Sequence, residues 1–249
     1  MIKIKSRQEV EQLRTAGRIT AETLEVLKEH IVSGISTMEL DKIAAEHAKK
    51  CGATCSFYKY SGFPGHACIS INREVVHGIP SKKVFLKEGD IVSVDFGACY
   101  GGYHGDAART YAVGEISPEA HRLISVTEQS FFEGIRFAKA GNRLFDISAH
   151  IQETVENAGF SVVRALVGHG IGQELHEDPE VPNFGTAGRG PRLIAGMVLA
   201  VEPMVNMGTY NVTTLPDDWT VVTADGQLSA HYENTILIKE DGAEILTQC

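Results

Sequence analysis

Four landmarks of this chain recur at one fixed spacing, and that regularity constrains the fold more than any local motif. Gly34 precedes a helical run that reaches Gly52, and Gly141 precedes another that reaches Gly159. Gly89 leads to Asp95 and Gly196 leads to Glu202, six residues later in each case. One shift of 107 relates all four pairs: 34 to 141, 52 to 159, 89 to 196 and 95 to 202. Because 25 of the 249 residues are glycine, glycine matches alone carry little, and the matched acidic residues carry more. The reading is two half-domains of common design, roughly 1–115 and 116–249, which set two acidic groups facing each other across a pseudo-two-fold axis. Asp106 and Glu233 miss the shift by 20 residues, which requires an insertion in the second half, and the histidines do not repeat. Symmetric support for an asymmetric site is expected.

Local signals fill in the elements. Ser6 with Glu9, and Ser36 with Glu39, have the spacing of capping boxes, so helices should start there. The first carries Val10, Leu13, Leu24, Leu27 and Ile31 at helical spacing, and the second ends near Gly52. Ser117-Pro118 is a cap with proline at the first helical position, opening a third helix towards Ala138. A fourth helix spans about Leu144 to Asn157. Strands are expected near 68–71, at 91–96 and 108–113 joined by a Gly-rich connection, and near 161–167, 197–203, 219–223 and 233–238. Helix-helix-strands, twice over and with no linker between, reads as one α+β domain over 1–249, with helices outside a curved antiparallel sheet.

Five potential metal ligands sit at the edges of apolar, strand-like runs. Asp95 ends IVSVD, Glu202 ends MVLAVE, Glu233 opens ENTILI, Asp106 precedes ARTYAV and His169 follows SVVRALVG. Carboxylates in such runs are partly buried, and buried charge is costly unless it is paired or coordinates a metal. Each residue alone reads as a turn former or a structural group. Together, four carboxylates exceed what one cation neutralises, so two divalent ions sharing bridging carboxylates are the expectation, and with them metal-assisted hydrolysis. A neutral imidazole beside carboxylates suits Mn, Fe, Co or Zn better than Mg or Ca. His77 in VVHGIP and His176 in LHEDP look functional without being ligands, as donors to a substrate carbonyl or a leaving amide. His47, His66, His104, His121, His150 and His231 read as structural or solvated.

Composition narrows the setting. The chain is 43% apolar and 22% charged, and no run approaches the roughly 18 apolar residues of a membrane span. MIKIKSRQEV lacks the apolar region of a secretory signal. Five cysteines without a scaffold spacing read as free thiols in a reducing cytoplasm. A net charge of −9 argues against DNA as the ligand, since phosphate contacts need clustered Lys and Arg. No feature demands more than a monomer.

NREVVHGIP (72–80), VSVDFGA (92–98), GYHGDAART (102–110), GHGIGQELHEDP (168–179), VEPM (201–204) and the Glu233 strand together resemble the methionine aminopeptidases of type I. The similarity covers essentially the whole chain. It implies the pita-bread fold, two αβ halves about a pseudo-two-fold axis, in agreement with the shift of 107. It implies that Asp95 binds one ion, that His169 and Glu202 bind the other, and that Asp106 and Glu233 bridge them. A bridging hydroxide would then attack the carbonyl after the N-terminal methionine of a nascent chain whose second residue is small. Glu202 would shuttle the proton, His176 would stabilise the oxyanion and His77 would contact the scissile amide. The methionine slot would be built from Phe57, Tyr60, Phe63, Cys68, Leu175 and Trp219. Phe57 and Leu175 depart from residues common at those positions in the family, which alters the slot's shape. By the same resemblance a monovalent cation near Asn72 and Ser229 and a transient encounter with the ribosome are expectations. Since this sequence begins Met1-Ile2, with a large second residue, it should keep its own methionine.

Rivals share the fold. Proline-specific peptidases usually add an N-terminal domain, and type II methionine enzymes insert a helical segment for which the 30 residues between Glu202 and Glu233 are too few. A non-enzymatic interaction module would have lost ligands, and none is lost here.

Overall fold

Capping chemistry sets where the helices begin. In the computed structural model, which describes residues 1–249, α1 (Arg7–His30) and α2 (Thr37–Lys50) both open on reciprocal boxes. The Ser6 and Ser36 hydroxyls accept from the Glu9 and Glu39 amides, and each glutamate accepts from its serine amide. Two otherwise orphaned donors are thereby satisfied at each helix start. The first-half strands are β1 (Thr54–Cys55), β2 (Cys68–Ile71), β3 (Glu74–Val76), β4 (Ile91–Tyr100) and β5 (Tyr103–Ala112). In the second half α3 (Pro118–Ile135) starts on the Ser117 cap and α4 spans Leu144–Asn157. There follow β6 (Ser161–Val162), β7 (Gly168–Gly170), β8 (Glu177–Val181), β9 (Val198–Val201) and β10 (Met204–Asn206). The chain finishes through β11 (Val212–Thr214), β12 (Val221–Thr223), β13 (Ser229–His231), β14 (Asn234–Ile238) and β15 (Ala243–Ile245).

All strand pairs are antiparallel, in four sheets. Each half buries its own helical layer. Leu24, Leu27 and Leu40 of α1 and α2 pack on Val92, Val94 and Phe96 of β4. Leu123, Phe131, Ile147 and Ile151 of α3 and α4 pack on Leu199, Val201 and Ile236 of β9 and β14. Each such side chain stabilises the fold by roughly 1.5–3 kcal/mol relative to exposure.

The shift of 107 is physical. φ is 95° at Gly34 and 94° at Gly141, 75° at Gly52 and 83° at Gly159, 88° at Gly89 and 93° at Gly196. These left-handed angles favour glycine, which explains why glycine marks the repeat. α2 and α4 are both 14 residues long. The bonds from Gly34 N–H to the Leu86 carbonyl (2.8 Å) and Leu86 N–H to the Ile35 carbonyl (2.9 Å) recur as Gly141 to Leu193 (3.0 Å) and Leu193 to Asn142 (2.8 Å).

Beyond β4 and β9 the equivalence differs from the one expected. Asp95 pairs with Ala108, and Val201 with Asn234, so the next step of that ladder sets Glu202 against Glu233. The counterpart of Glu233 is therefore Ala108, not Asp106, and the insertion is 18 residues rather than 20. The seam between halves obeys the same rule. Ala108 and Glu233 exchange backbone hydrogen bonds of 3.4 and 3.0 Å. On one side Thr235 Oγ1 accepts from the Asp106 amide and donates to the Asp106 carbonyl, both at 2.9 Å. On the other, Thr110 Oγ1 does the same for His231, again at 2.9 Å. A local two-fold thus relates Thr110 to Thr235 and Asp106 to His231.

Two strand expectations need correction. The segment FGACYGGYHG is mostly strand, and only Gly101-Gly102 form the turn, at φ of 57° and 81°. Gly105 serves close approach instead: a Cβ there would stand 2.6 Å from the Gly17 amide nitrogen of α1. The run 161–167 breaks after Val162, because β6 pairs with β10 whereas β7 joins β8 and β9 in another sheet.

Candidate metal centre

The seam brings the five expected ligands to one cavity. Asp95 lies on β4 opposite Cys68, and Asp106 lies on β5 opposite Gly97. The carboxylates are thus diagonal neighbours across the hairpin, within reach of each other. His169 lies on β7 opposite Ala200, Glu202 follows β9, and Glu233 sits between β13 and β14. His169 Nε2 stands 3.6 Å from Glu202 Oε1 and 3.9 Å from Asp106 Oδ2. Its Nδ1 is 2.8 Å from the Gly170 carbonyl, so the proton sits there and the Nε2 lone pair faces the carboxylates.

Electrostatics show what this cluster lacks. Burial, then Asp106 and Glu202, push the Asp95 carboxyl well up from its ordinary value. Glu202 rises likewise through burial and then Asp106, and Glu233 through burial and then Asp106, Glu202 and Asp95. Burial raises Asp106 to about 7 and lowers His169 to about 3. Asp95 Oδ1, Asp106 Oδ1 and Glu233 Oε1 are buried without hydrogen-bond partners. Orphaned carboxylate oxygens that repel one another, beside a neutral imidazole lone pair, are the complement of divalent cations. Two donor triads stand out, Asp106–His169–Glu233 and Asp95–His231–Glu233, each with ligand atoms within 4.8 Å of one another. Glu233 is common to both. Glu202 belongs to neither triad, but its distance to His169 keeps it in the cluster.

The remaining expected residues line the same cavity, of about 210 Å³: His77 and His176 with Phe57, Tyr60, Phe63, Cys68, Leu175 and Trp219. Trp219 meets Phe63 edge-on, ring centres 5.1 Å apart, and the thiol of Cys68 is pushed far up by burial. The 18-residue insertion explains the asymmetry. It contains the β11–β12 hairpin that bears Trp219, and β12 pairs with β3 immediately before His77. His77 has φ of 61°, a left-handed conformation that costs a β-carbon residue about 1–2 kcal/mol. His176 Nδ1 lies 2.8 Å from the Tyr60 hydroxyl. Burial keeps both rings neutral by lowering their pKa values, helped by His176 at His77 and by His104 at His176.

Two lining or adjoining residues fall outside the expected set. Ser61 lines the cavity at φ of 48°, and no sequence signal marks it. His231, read from the sequence as structural or solvated, is buried against Glu202 and Glu233. Its position two residues before Glu233 in an extended segment was the available signal, because alternate residues share a face. Of the other histidines, His66 meets Asp41, His47 meets Thr23 and His150 meets the Asp146 carbonyl, while His104, close enough to act on His176, meets Ser56. Asn72 and Ser229 adjoin, the Ser229 amide donating to the Asn72 carbonyl at 2.9 Å. All five cysteines are free, and no helix is long and apolar enough to cross a membrane.

Comparison with known proteins agrees with this geometry. The methionine aminopeptidase of Clostridium perfringens is 61% identical over 247 residues, covering 99% of each chain. The crystal structure of a methionine aminopeptidase from Thermotoga maritima matches with a TM-score of 0.99 at 48% identity, over 100% of both chains. A prolidase from Pyrococcus furiosus, 24% identical, reaches a TM-score of 0.81 over 99% of this chain and 65% of its own, a likeness of fold alone. The architecture is the pita-bread fold. Metallopeptidase family M24 matches residues 11–240, and the chain belongs to that family.

Proposed function

We propose that this chain is a metal-dependent aminopeptidase that hydrolyses the N-terminal methionine of nascent proteins whose second residue is small. One observation carries the reading: a single cavity joins the buried carboxylate and imidazole cluster to an apolar slot walled by Phe57, Phe63, Cys68, Leu175 and Trp219. Asp95, Asp106, His169, Glu202 and Glu233 would hold two divalent ions drawn from Mn, Fe, Co or Zn. When bound, such ions supply an acidified water and a Lewis acid for the scissile carbonyl.

The chain's own groups do the rest. A Glu202 carboxylate oxygen takes the proton from the attacking water and returns it to the departing amine. With the Tyr60 hydroxyl donating to Nδ1, the neutral His176 ring carries its proton on Nε2 and donates to the carbonyl oxygen as negative charge grows there. His77 donates to the scissile amide. The Cys68 thiol stays protonated, so the slot remains uncharged for a thioether. Preference for a small second residue, a monovalent cation near Asn72 and Ser229 and a transient meeting with the ribosome rest on the resemblance to methionine aminopeptidases, whereas a cytoplasmic setting rests on the free thiols and a monomer on the sequence demanding nothing more.

The test is hydrolysis of Met-Ala-Ser, Met-Leu-Ser and Ala-Pro-Gly by chelator-stripped protein before and after adding Mn or Co. Metal-dependent release of methionine from the first peptide alone is expected. Cleavage of the proline peptide instead, or of none, overturns the reading.

A further inference from the structure

His231 is the buried polar side chain that the proposed mechanism leaves unused. It is 1% exposed, and neither ring nitrogen has a hydrogen-bond partner. Buried polar groups are almost always paired, so an orphaned imidazole inside a carboxylate cluster points to a ligand between them. Its Nε2 stands 3.8 Å from Glu233 Oε2 and 3.9 Å from Glu202 Oε2. Both separations exceed hydrogen-bond reach, yet two metal–donor bonds of about 2.0–2.2 Å span them. His231 also forms a triad with Asp95 and Glu233, and every member of that triad has a partnerless buried atom. The seam's two-fold adds an independent observation. Thr110 holds the His231 backbone as Thr235 holds that of Asp106, so His231 occupies in one half the position of an expected ligand in the other.

We infer that His231 is a sixth protein donor to the metal centre, directed at the ion on the Asp95 side. Each ion is then met by one imidazole, His169 for one and His231 for the other. The inference rests on the metal centre proposed above and adds a residue to it.

Proton NMR of the protein loaded with two equivalents of cobalt(II) tests it. A cobalt-bound imidazole gives a strongly shifted N–H resonance. The natural chain should show two, and His169→Gln and His231→Gln should each retain one. Calorimetric titration should show that His231→Gln binds one of its two ions at least about tenfold more weakly, as loss of donor support does at such sites. A single shifted resonance in the natural chain, or unchanged affinity for both ions in His231→Gln, overturns the assignment. Should the variant fail to fold, the count in the natural chain decides alone. Two resonances without cleavage of Met-Ala-Ser would sink the aminopeptidase reading and leave the donor assignment standing.

Discussion

The two halves of this molecule agree in backbone and differ in chemistry. Between Gly34 and Gly89 in one, and Gly141 and Gly196 in the other, the 14-residue helices match in length, the left-handed glycines agree at least as closely as 75° with 83°, and the loop hydrogen bonds agree at least as closely as 2.8 Å with 3.0 Å. The shared frame puts Asp95 and Glu202 at corresponding strand ends. Everything directional comes from what is not shared: His77 in the first half, and His169, His176 and the hairpin bearing Trp219 in the second. Symmetry sets Asp95 and Glu202 at the heart of the charge cluster, and an 18-residue departure from symmetry adds the Trp219 wall of the slot beside it.

That contrast can be broken most sharply at the seam. Asp106→Asn and Glu233→Gln should each lose at least one ion, with losses beyond the roughly 10–100-fold typical of supporting residues, read by calorimetry and by peptide hydrolysis. The natural chain has a pH signature at the same place. Asp106, raised to about 7, is mostly protonated at pH 6 without metal, so ion uptake there releases protons and apparent affinity climbs towards pH 8. His169, lowered to about 3, is already neutral over that range and adds nothing to the slope. An affinity flat from pH 6 to pH 8 would contradict this.

A smaller effect separates ligands from the unsymmetric catalytic residues. His77→Ala and His176→Ala should keep both ions while turnover falls about 10²–10³-fold. If either variant bound no metal, the division of roles would fail. Trp219→Ala tests the inserted hairpin. Losing one wall of the slot should lower kcat/KM for methionyl peptides about 10-fold, mostly through KM, with metal binding intact. The smallest effect concerns the shared frame. A Cβ at Gly34 or Gly141 meets nothing within 4 Å, so alanine at either should destabilise only through its left-handed φ, by about 1–2 kcal/mol, and equally. Gly196→Ala should exceed Gly89→Ala, because its Cβ meets Ile4 at 2.7 Å whereas the other finds open space to 3.8 Å. Unequal melting shifts for the first pair would show that the halves are alike in shape but not in energetics.

Much of this was legible in the sequence because it depends on local rules. Reciprocal Ser/Glu boxes start α1 and α2 wherever they fold, and several carboxylates ending apolar strands together call for cations where one alone does not. The shift of 107 was visible because left-handed turns admit glycine. The rest depends on partners far away in the chain. Residue type matches Asp106 to Glu233, whereas strand register and the two seam threonines match it to His231. The glycines and alanines of 97–107 suggest a loop, whereas close packing explains two of the glycines as strand, Gly105 against α1 and Gly97 against Ser56 and Phe57. His231 carries no motif, and its burial follows from a hairpin whose path no local pattern fixes.

The seam also bears on time. Its bonds join residues 121 to 129 positions apart, Thr110 with His231 and Asp106 with Thr235. Closing so long a loop brings no reward until the last contact forms. Each half can gather its own core early, but the charge cluster does not exist until the two meet. On a chain made from its N-terminus, Asp95 and Asp106 are in place more than a hundred residues before Glu233 is synthesised. A peptidase assembled in this order has no partly active stage: the groups that would handle a substrate come together only when the fold is nearly complete.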